Sequence, residues 1–289
     1  MNIFESILRD KNRKLTRAQQ RILRYIFDNF DEAVFLNASK VAKKAEVSES
    51  SVIRLAQTLE FDGYPAMQRE LQRHYYYRLS TVNRLVETEK VMRDDQDVFV
   101  KVMQEDIKDL TETLKGISKE TFDQAVDDIW SARRVFILGV KDTHAPALVL
   151  ANSLKRFMKG INLLVPKFGD IWDDVFDMDS KDLIIGISFA RYARLTVEIL
   201  KYASERGARV GAITDSLVSP LAGYADWVLP AKCRMESFFI AYTSAMSIIS
   251  ALITALSLKN TKQTMRTMQE LELLWKEKRV YYSRPQVES

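Results

Sequence analysis

Two groups of residues in this 289-residue chain have the types and spacing to do chemistry. The first lies in Asn37–Tyr64. Ser50, Ser51, Arg54, Gln57 and Thr58 share one helical face there, opposite Val52, Leu55, Ala56 and Leu59 at i, i+3, i+4, i+7. Serine hydroxyls are short and allow close approach, while Arg and Gln donate to base edges or phosphates. A short helix that buries one such face and offers the other suits the major groove of double-stranded DNA. Ser48 is a preferred N-cap, with Ser51 at the third helical position. Lys40, Lys43 and Lys44 on the preceding segment either clamp phosphates or form an ordinary solvated face. Arg54 carries the same two readings, and the pattern around it favours DNA.

The second group sits after short apolar runs in the other half: Gly139-Val140-Lys141-Asp142-Thr143, Ser188-Phe189-Ala190-Arg191-Tyr192, and Thr214-Asp215. In a parallel sheet, ligands bind beyond the carboxyl ends of the strands, where these stretches would lie. Arg191 would hold an anion as a bidentate fork and Lys141 as a point charge; alternatively Arg191 closes a structural loop by pairing with Asp170 or Glu236. Ser188 and Thr143 are hydrogen-bonding or capping groups rather than nucleophiles. His74 and His144 stand in no His-acid-Ser pattern, and the single Cys233 removes thiolate metal sites, so no catalytic residue, metal or cofactor is expected.

The elements that position these groups follow from periodicity. Leu15, Ala18, Ile22, Ile26 and Phe30 predict helix within 3–30, with Thr16 capping a second segment. Ser39 is the expected cap of the next helix, Glu46-Val47-Ser48 the turn, and Gly63 and Pro65 the punctuation before a helix to about Ser80. His74-Tyr75-Tyr76-Tyr77 reads as packing at that helix's end rather than a base-stacking platform. Residues 81–120 form a charge-rich helical linker with an apolar stripe at Phe99, Met103, Ile107, Leu110 and Leu114, suited to crossing between domains or pairing with a partner chain. From Arg134, continuous apolar runs at 135–139, 161–165, 182–188, 208–214 and 226–230 alternate with helices, the signature of a five-stranded parallel sheet covered on both faces. A helix over about 262–279 and a polar tail close the chain. The expected architecture is two domains: an all-α helix-turn-helix domain (1–80), then, after the linker, an α/β three-layer domain (121–260), with 261–289 as C-terminal helix and tail.

Composition agrees. Residues 1–80 hold 14 basic and 10 acidic residues, and the remainder 29 of each, so the positive excess lies in the segment that would meet phosphates. The lone cysteine fits a reducing cytoplasm, and the N-terminus lacks the apolar core of a signal peptide. Ser237 to Leu258 runs 22 residues without a charge, but seven are Ser or Thr and no basic cluster flanks it; it reads as a buried helix, not a membrane span.

The segment Val41–Leu71 resembles the N-terminal helix-turn-helix of the RpiR family of bacterial transcriptional regulators through Ala42, Val47, Ser48, Val52, Arg54, Leu59, Phe61, Gly63, Tyr64 and Leu71. The second half resembles the SIS (sugar isomerase) domain that senses ligand in that family, through Gly139, Ser188, the run from Gly207 to Leu229 and Glu236-Ser237. The resemblance implies a cytoplasmic homodimer or homotetramer that binds operator DNA through Lys43, Lys44, Ser48, Ser50, Ser51, Arg54, Gln57 and Thr58. It implies a small anionic effector at Gly139, Lys141, Thr143, Ser188, Arg191, Tyr192, Thr214 and Glu236. The departures matter. The family's Ser-x-Ser-Gly-x-Thr phosphate loop is here Ser188-Phe189-Ala190-Arg191-Tyr192-Ala193, and its Gly-x-Gly-x-Ser is Gly139-Val140-Lys141-Asp142-Thr143. Carboxylates therefore stand beside sugar phosphates as candidate effectors. Glu46 and Glu60 replace glycines and are expected to strain the turn and the helix stop. The alternative is a sugar-phosphate isomerase, for which Glu236 and Asp142 are the available general bases.

Overall fold

The computed structural model describes residues 15–78, 80–92, 97–166, 171–217, 219–233 and 239–282. The chain divides into two compact units: Met1–Lys101 with Ser216–Ser219 and Arg234–Ile240, and Val102–Asp215 with Pro220–Cys233 and Ala241–Ser289.

The described part of the first unit is helical: α1 (Arg17–Asp28), α2 (Phe30–Ala33), α3 (Ala38–Lys44), α4 (Glu49–Thr58), α5 (Tyr64–Arg78) and α6 (Thr81–Met92). Thr16 caps α1 in a full capping box with Gln19. The cap of α3 is Asn37, whose side chain accepts from the Lys40 N–H; Ser39 lies inside the helix, because Asn37 is the residue with extended backbone. Val41, Ala42, Val52, Leu55, Ala56 and Leu59 are buried with Ile22, Ile26, Met67 and Leu71 in one core. Three side chains of α5 fasten the loop before α3. Tyr64 donates to the Leu36 carbonyl (2.6 Å), Gln68 to the Val34 and Leu36 carbonyls, and Gln72 to the Val34 carbonyl. Burial, then the nearby Tyr25, push the Tyr64 hydroxyl above its ordinary pKa. Tyr75 is buried edge-on to Phe35 (5.2 Å), which fits the packing reading of the tyrosine run; the side chains of His74, Tyr76 and Tyr77 lie outside the described residues.

The second unit carries a parallel sheet in the order β2-β1-β3-β4-β5, with β1 Val135–Gly139, β2 Ile161–Leu164, β3 Leu183–Ile187, β4 Arg209–Thr214 and β5 Trp227–Pro230. All five residues of β1 and of β3 are buried, as their unbroken apolar runs require of central strands. Helices α9 (His144–Lys155), α10 (Ile171–Val175) and α11 (Arg194–Glu205) alternate with the strands; α12 (Thr243–Lys259) and α13 (Thr261–Glu277) follow. Among the described residues no helix is long and apolar enough to cross a membrane; α12 is amphipathic enough to bury Ala245, Ile248, Ile249, Leu252 and Leu256. Two helices precede β1: α7 (Val98–Gly116) and α8 (Lys119–Ser131). Helix α8 buries Ala125, Val126 and Ile129; this stretch had not been read as a separate element in the sequence. The stripe on α7 faces outward: Phe99, Met103, Ile107 and Leu114 are exposed, while Asp109 and Thr113 are buried. The polar side is turned inward because it holds loops. Asp106 accepts from the Thr243 hydroxyl (2.8 Å), and Thr113 accepts from the Lys232 N–H (2.9 Å).

Candidate nucleic-acid interface and effector site

The helix-turn-helix is defined at its two stops. Glu46 and Glu60 adopt left-handed φ, +52° and +67°. After α3 the Val47 N–H bonds the Ala42 carbonyl and the Glu46 N–H the Lys43 carbonyl; after α4 Phe61 bonds Ala56 and Glu60 bonds Gln57. Both are the six-to-one and five-to-two pattern of a Schellman stop, a position that favours glycine. The family's backbone is thus kept without its glycines, at a cost of about 1–2 kcal/mol for each left-handed L-residue.

Helix α4 opens at Ser48, as expected, but the Ser48 side chain makes no backbone cap. Its hydroxyl pairs instead with those of Ser50 (2.9 Å) and Ser51 (2.8 Å). Arg54 reaches back along the same face, its guanidinium donating to the Ser50 hydroxyl (3.0 Å) and carbonyl (3.2 Å). The first-turn N–H groups of α4 that lack intrahelical carbonyls therefore sit beside three hydroxyls and an arginine, a combination suited to phosphate or base-edge acceptors; Glu49 in the same turn opposes it. Of the expected DNA residues, Lys43, Ser48, Ser50, Arg54 and Gln57 are exposed and Ser51 is half-buried. Two are engaged within the domain. Thr58 accepts from Gln19 (2.9 Å) and donates to the Arg54 carbonyl (2.8 Å). Lys44 is paired with Glu32 (2.8 Å), and that hydrogen bond raises its pKa. Ile53, 39% exposed beside Arg54, was not among the sequence candidates, because an apolar residue off the buried stripe carries no signal in periodicity.

The carboxyl edge of the sheet gathers the second group. The turn after β1 holds Lys141 at φ +57°, again left-handed where the family pattern has glycine. Gly139 is required by packing: a Cβ there would lie 2.1 Å from the Thr143 carbonyl oxygen. The Thr143 hydroxyl donates to the Val140 carbonyl (2.8 Å). After β3, the Ser188 hydroxyl is buried and accepts from the Ala193 N–H (3.2 Å), closing the loop that enters α11; Phe189 and Ala190 are buried and Arg191 is exposed. Across the β3–β4 boundary Tyr192 donates to Asp215 Oδ2 (3.1 Å), and Thr214 donates to Asp215 Oδ1 (3.0 Å). The structure thus joins Ser188, Tyr192, Thr214 and Asp215 at one edge; Asp215 was recognised in sequence only as a neighbour of Thr214. Asp170 and Glu236 lie outside the described residues. Among the described residues no cluster of His, Cys, Asp and Glu could hold a metal ion.

Comparisons with known proteins follow the same division. Residues 1–76 match the model of the helix-turn-helix domain of the rpiR family, and residues 128–255 match that of the SIS domain. An HTH-type transcriptional regulator of Haemophilus influenzae is 27% identical over 219 residues, covering 74% of this chain and 75% of its own. The HTH-type transcriptional regulator HexR of Pseudomonas aeruginosa is 25% identical over 267 residues, 89% of this chain and 90% of its own. The sugar isomerase domain of an RpiR transcription factor from Sphaerobacter thermophilus superposes with a TM-score of 0.57 at 30% identity, covering 61% of this chain and 99% of that one. The Vibrio vulnificus NanR protein complexed with ManNAc-6P shares the fold, with a TM-score of 0.60 at 18% identity over 95% of this chain and 98% of that one.

Proposed function

Because the chain belongs to the RpiR family of helix-turn-helix transcriptional regulators, with a SIS domain in its second half, we propose that it binds operator DNA as a homo-oligomer in the cytoplasm and that a small anionic metabolite modulates that binding. It acts as a sensor and not as an isomerase. The observation that carries the DNA half is the exposed polar face of α4, where Ser48, Ser50, Ser51 and Arg54 form one hydrogen-bonded cluster at a helix start. On this reading Arg54 and Gln57 address base edges, Lys43 and the α4 N-terminus address phosphates, and Ile53 meets a thymine methyl. Lys44 and Thr58 contribute by fixing the domain.

The effector meets the carboxyl edge of the sheet. Lys141 and Arg191 supply positive charge, Ser188 and Thr143 lie beneath them, and Tyr192 and Thr214 hold Asp215. The NanR relative binds a sugar phosphate by its description. In this chain the loop's single remaining serine is already engaged with Ala193, so sugar phosphates and carboxylates both belong in the effector screen.

The DNA reading is tested by footprinting the full chain on the region upstream of its own gene, with Arg54→Ala alongside. A protected palindrome is expected, with Arg54→Ala weakening it by about 1–3 kcal/mol, roughly tenfold or more. Equal occupancy of operator and unrelated DNA by both proteins would overturn it. The effector reading is tested by thermal-shift screening of sugar phosphates, carboxylates and amino acids; hits that survive Arg191→Ala unchanged would remove Arg191 from the site.

A further inference from the structure

Helix α13 has 17 residues and buries none of them. Thr261, Met265, Met268, Glu272, Trp275 and Arg279 recur along it at alternating steps of four and three, the spacing of a helix-pairing seam. That face lines an open groove of about 1000 Å³, with Leu258 and Leu273 adding apolar wall and Gln269 and Lys276 adding polar groups. Tyr281 closes one end, stacked edge-on to Trp275 at 5.5 Å, and Arg156 lies over the Trp275 ring at 5.8 Å. The walls are too exposed to enclose a small ligand: Leu273 is 71% and Tyr282 90% accessible. A helix with an apolar face and no buried side chain gains little from its own fold, since helical stability in water comes mainly from packing that face.

The polar residues of the groove name an occupant. If two copies of α13 pack antiparallel about a twofold axis at Leu274, Glu272 of each copy lies opposite Lys276 of the other. In the same register Gln269 meets Arg279 and Met268 meets Val280. The two acid–base pairs arise together because the contact is isologous. The exposed apolar residues of the seam are covered in one step, and the charged residues lining the groove meet complementary groups. We infer that this groove is a self-association surface, in which α13 of a second copy of the chain pairs antiparallel through Glu272 and Lys276. This supplies a contact for the homo-oligomer of the proposed regulator. It is measured without DNA or effector, so its failure leaves operator recognition untouched.

The test is sedimentation velocity of the full chain, as wild type, Glu272→Lys, Lys276→Glu and the double exchange, with circular dichroism to verify folding. Each single exchange sets like charges opposite one another and is expected to weaken one association step by about tenfold, while the double exchange restores it. Four results would overturn the inference: single variants that associate like wild type, a double variant that fails to recover, a wild type that stays monomeric up to about 50 μM, roughly the range in which a micromolar contact is populated, or a monomer that carries a bound apolar compound in the groove. A single variant that misfolds is replaced by Gln269→Glu, which faces Arg279 and is expected to strengthen association; weakening would count against the pairing.

Discussion

The two edges of the parallel sheet carry opposite kinds of polar chemistry. At the amino edge, Asp182 is fully buried and accepts from Arg133 (2.9 and 2.6 Å), from Arg134 (3.2 and 2.7 Å) and from the Asp179 N–H (3.2 Å). Arg209, at the start of β4, is paired with Asp128 and with the Ser131 hydroxyl (3.0 Å). Each of these acids is matched to arginine in forked geometry. At the carboxyl edge the contacts are single hydrogen bonds among Ser188, Tyr192, Thr214 and Asp215, and the cations Lys141 and Arg191 project outward. A closed ion cluster fixes one end of the strands, and the other end retains polar groups that a ligand can rearrange. This separates what the sheet needs for stability from what it offers for binding.

The largest expected effect breaks the amino edge. Asp182→Asn leaves two arginines facing a neutral amide and should cost about 3 kcal/mol of stability, read from urea unfolding, with effector binding by the folded fraction unchanged. The same cluster sets an acid dependence. Burial would raise the Asp182 pKa, but the hydrogen bonds from Arg134 and Arg133, and then the Asp179 N–H, outweigh it and hold the carboxyl well below the usual range. Its stabilisation is therefore fully present above the unfolded carboxyl's pKa of about 3.9 and is lost as pH falls toward the lower native value. Unfolding free energy should decline below about pH 4 in wild type and with a shallower slope in Asp182→Asn.

At the carboxyl edge the order of effects reverses. Tyr192→Phe removes the hydrogen bond to Asp215 and should lower stability by about 1 kcal/mol or less, yet weaken effector binding by roughly tenfold, measured by titration calorimetry. If stability falls as much as in Asp182→Asn, the contrast between the edges fails. The smallest effect is a gain. Glu46→Gly relieves a left-handed residue and gives up only the solvent-exposed pair with Arg21. It should raise stability by about 0.5–1 kcal/mol and leave operator affinity nearly unchanged.

The contrast also separates what was readable in the chain from what was not. Periodicity located every strand to within a residue or so, because buried parallel strands are unbroken apolar runs with polar flanks. The turn between α3 and α4 was legible for the same reason, together with the strain at Glu46 and Glu60. Capping was less so: Asn37 and Ser39 are both good caps, and only the backbone conformation chooses between them. The engagement of Thr58 by Gln19 and of Lys44 by Glu32 joins residues far apart in sequence, so a helical wheel placed both on the DNA face. The Asp182 cluster was likewise invisible, since Arg133, Arg134 and Asp182 meet only once β1 and β3 pair. The inward turn of Asp106 and Thr113 on α7 depends on the loops they hold, which no periodicity encodes.

The central claim is that a small anion at the carboxyl edge acts on the DNA affinity of α4. The direct measurement is operator affinity by fluorescence anisotropy, with and without the screened compound giving the largest thermal shift, together with that compound's affinity with and without operator. The account predicts a change of at least about fivefold in operator affinity and, by linkage, an equal factor in the compound's own affinity. A compound that binds the chain and leaves both affinities unchanged would contradict it.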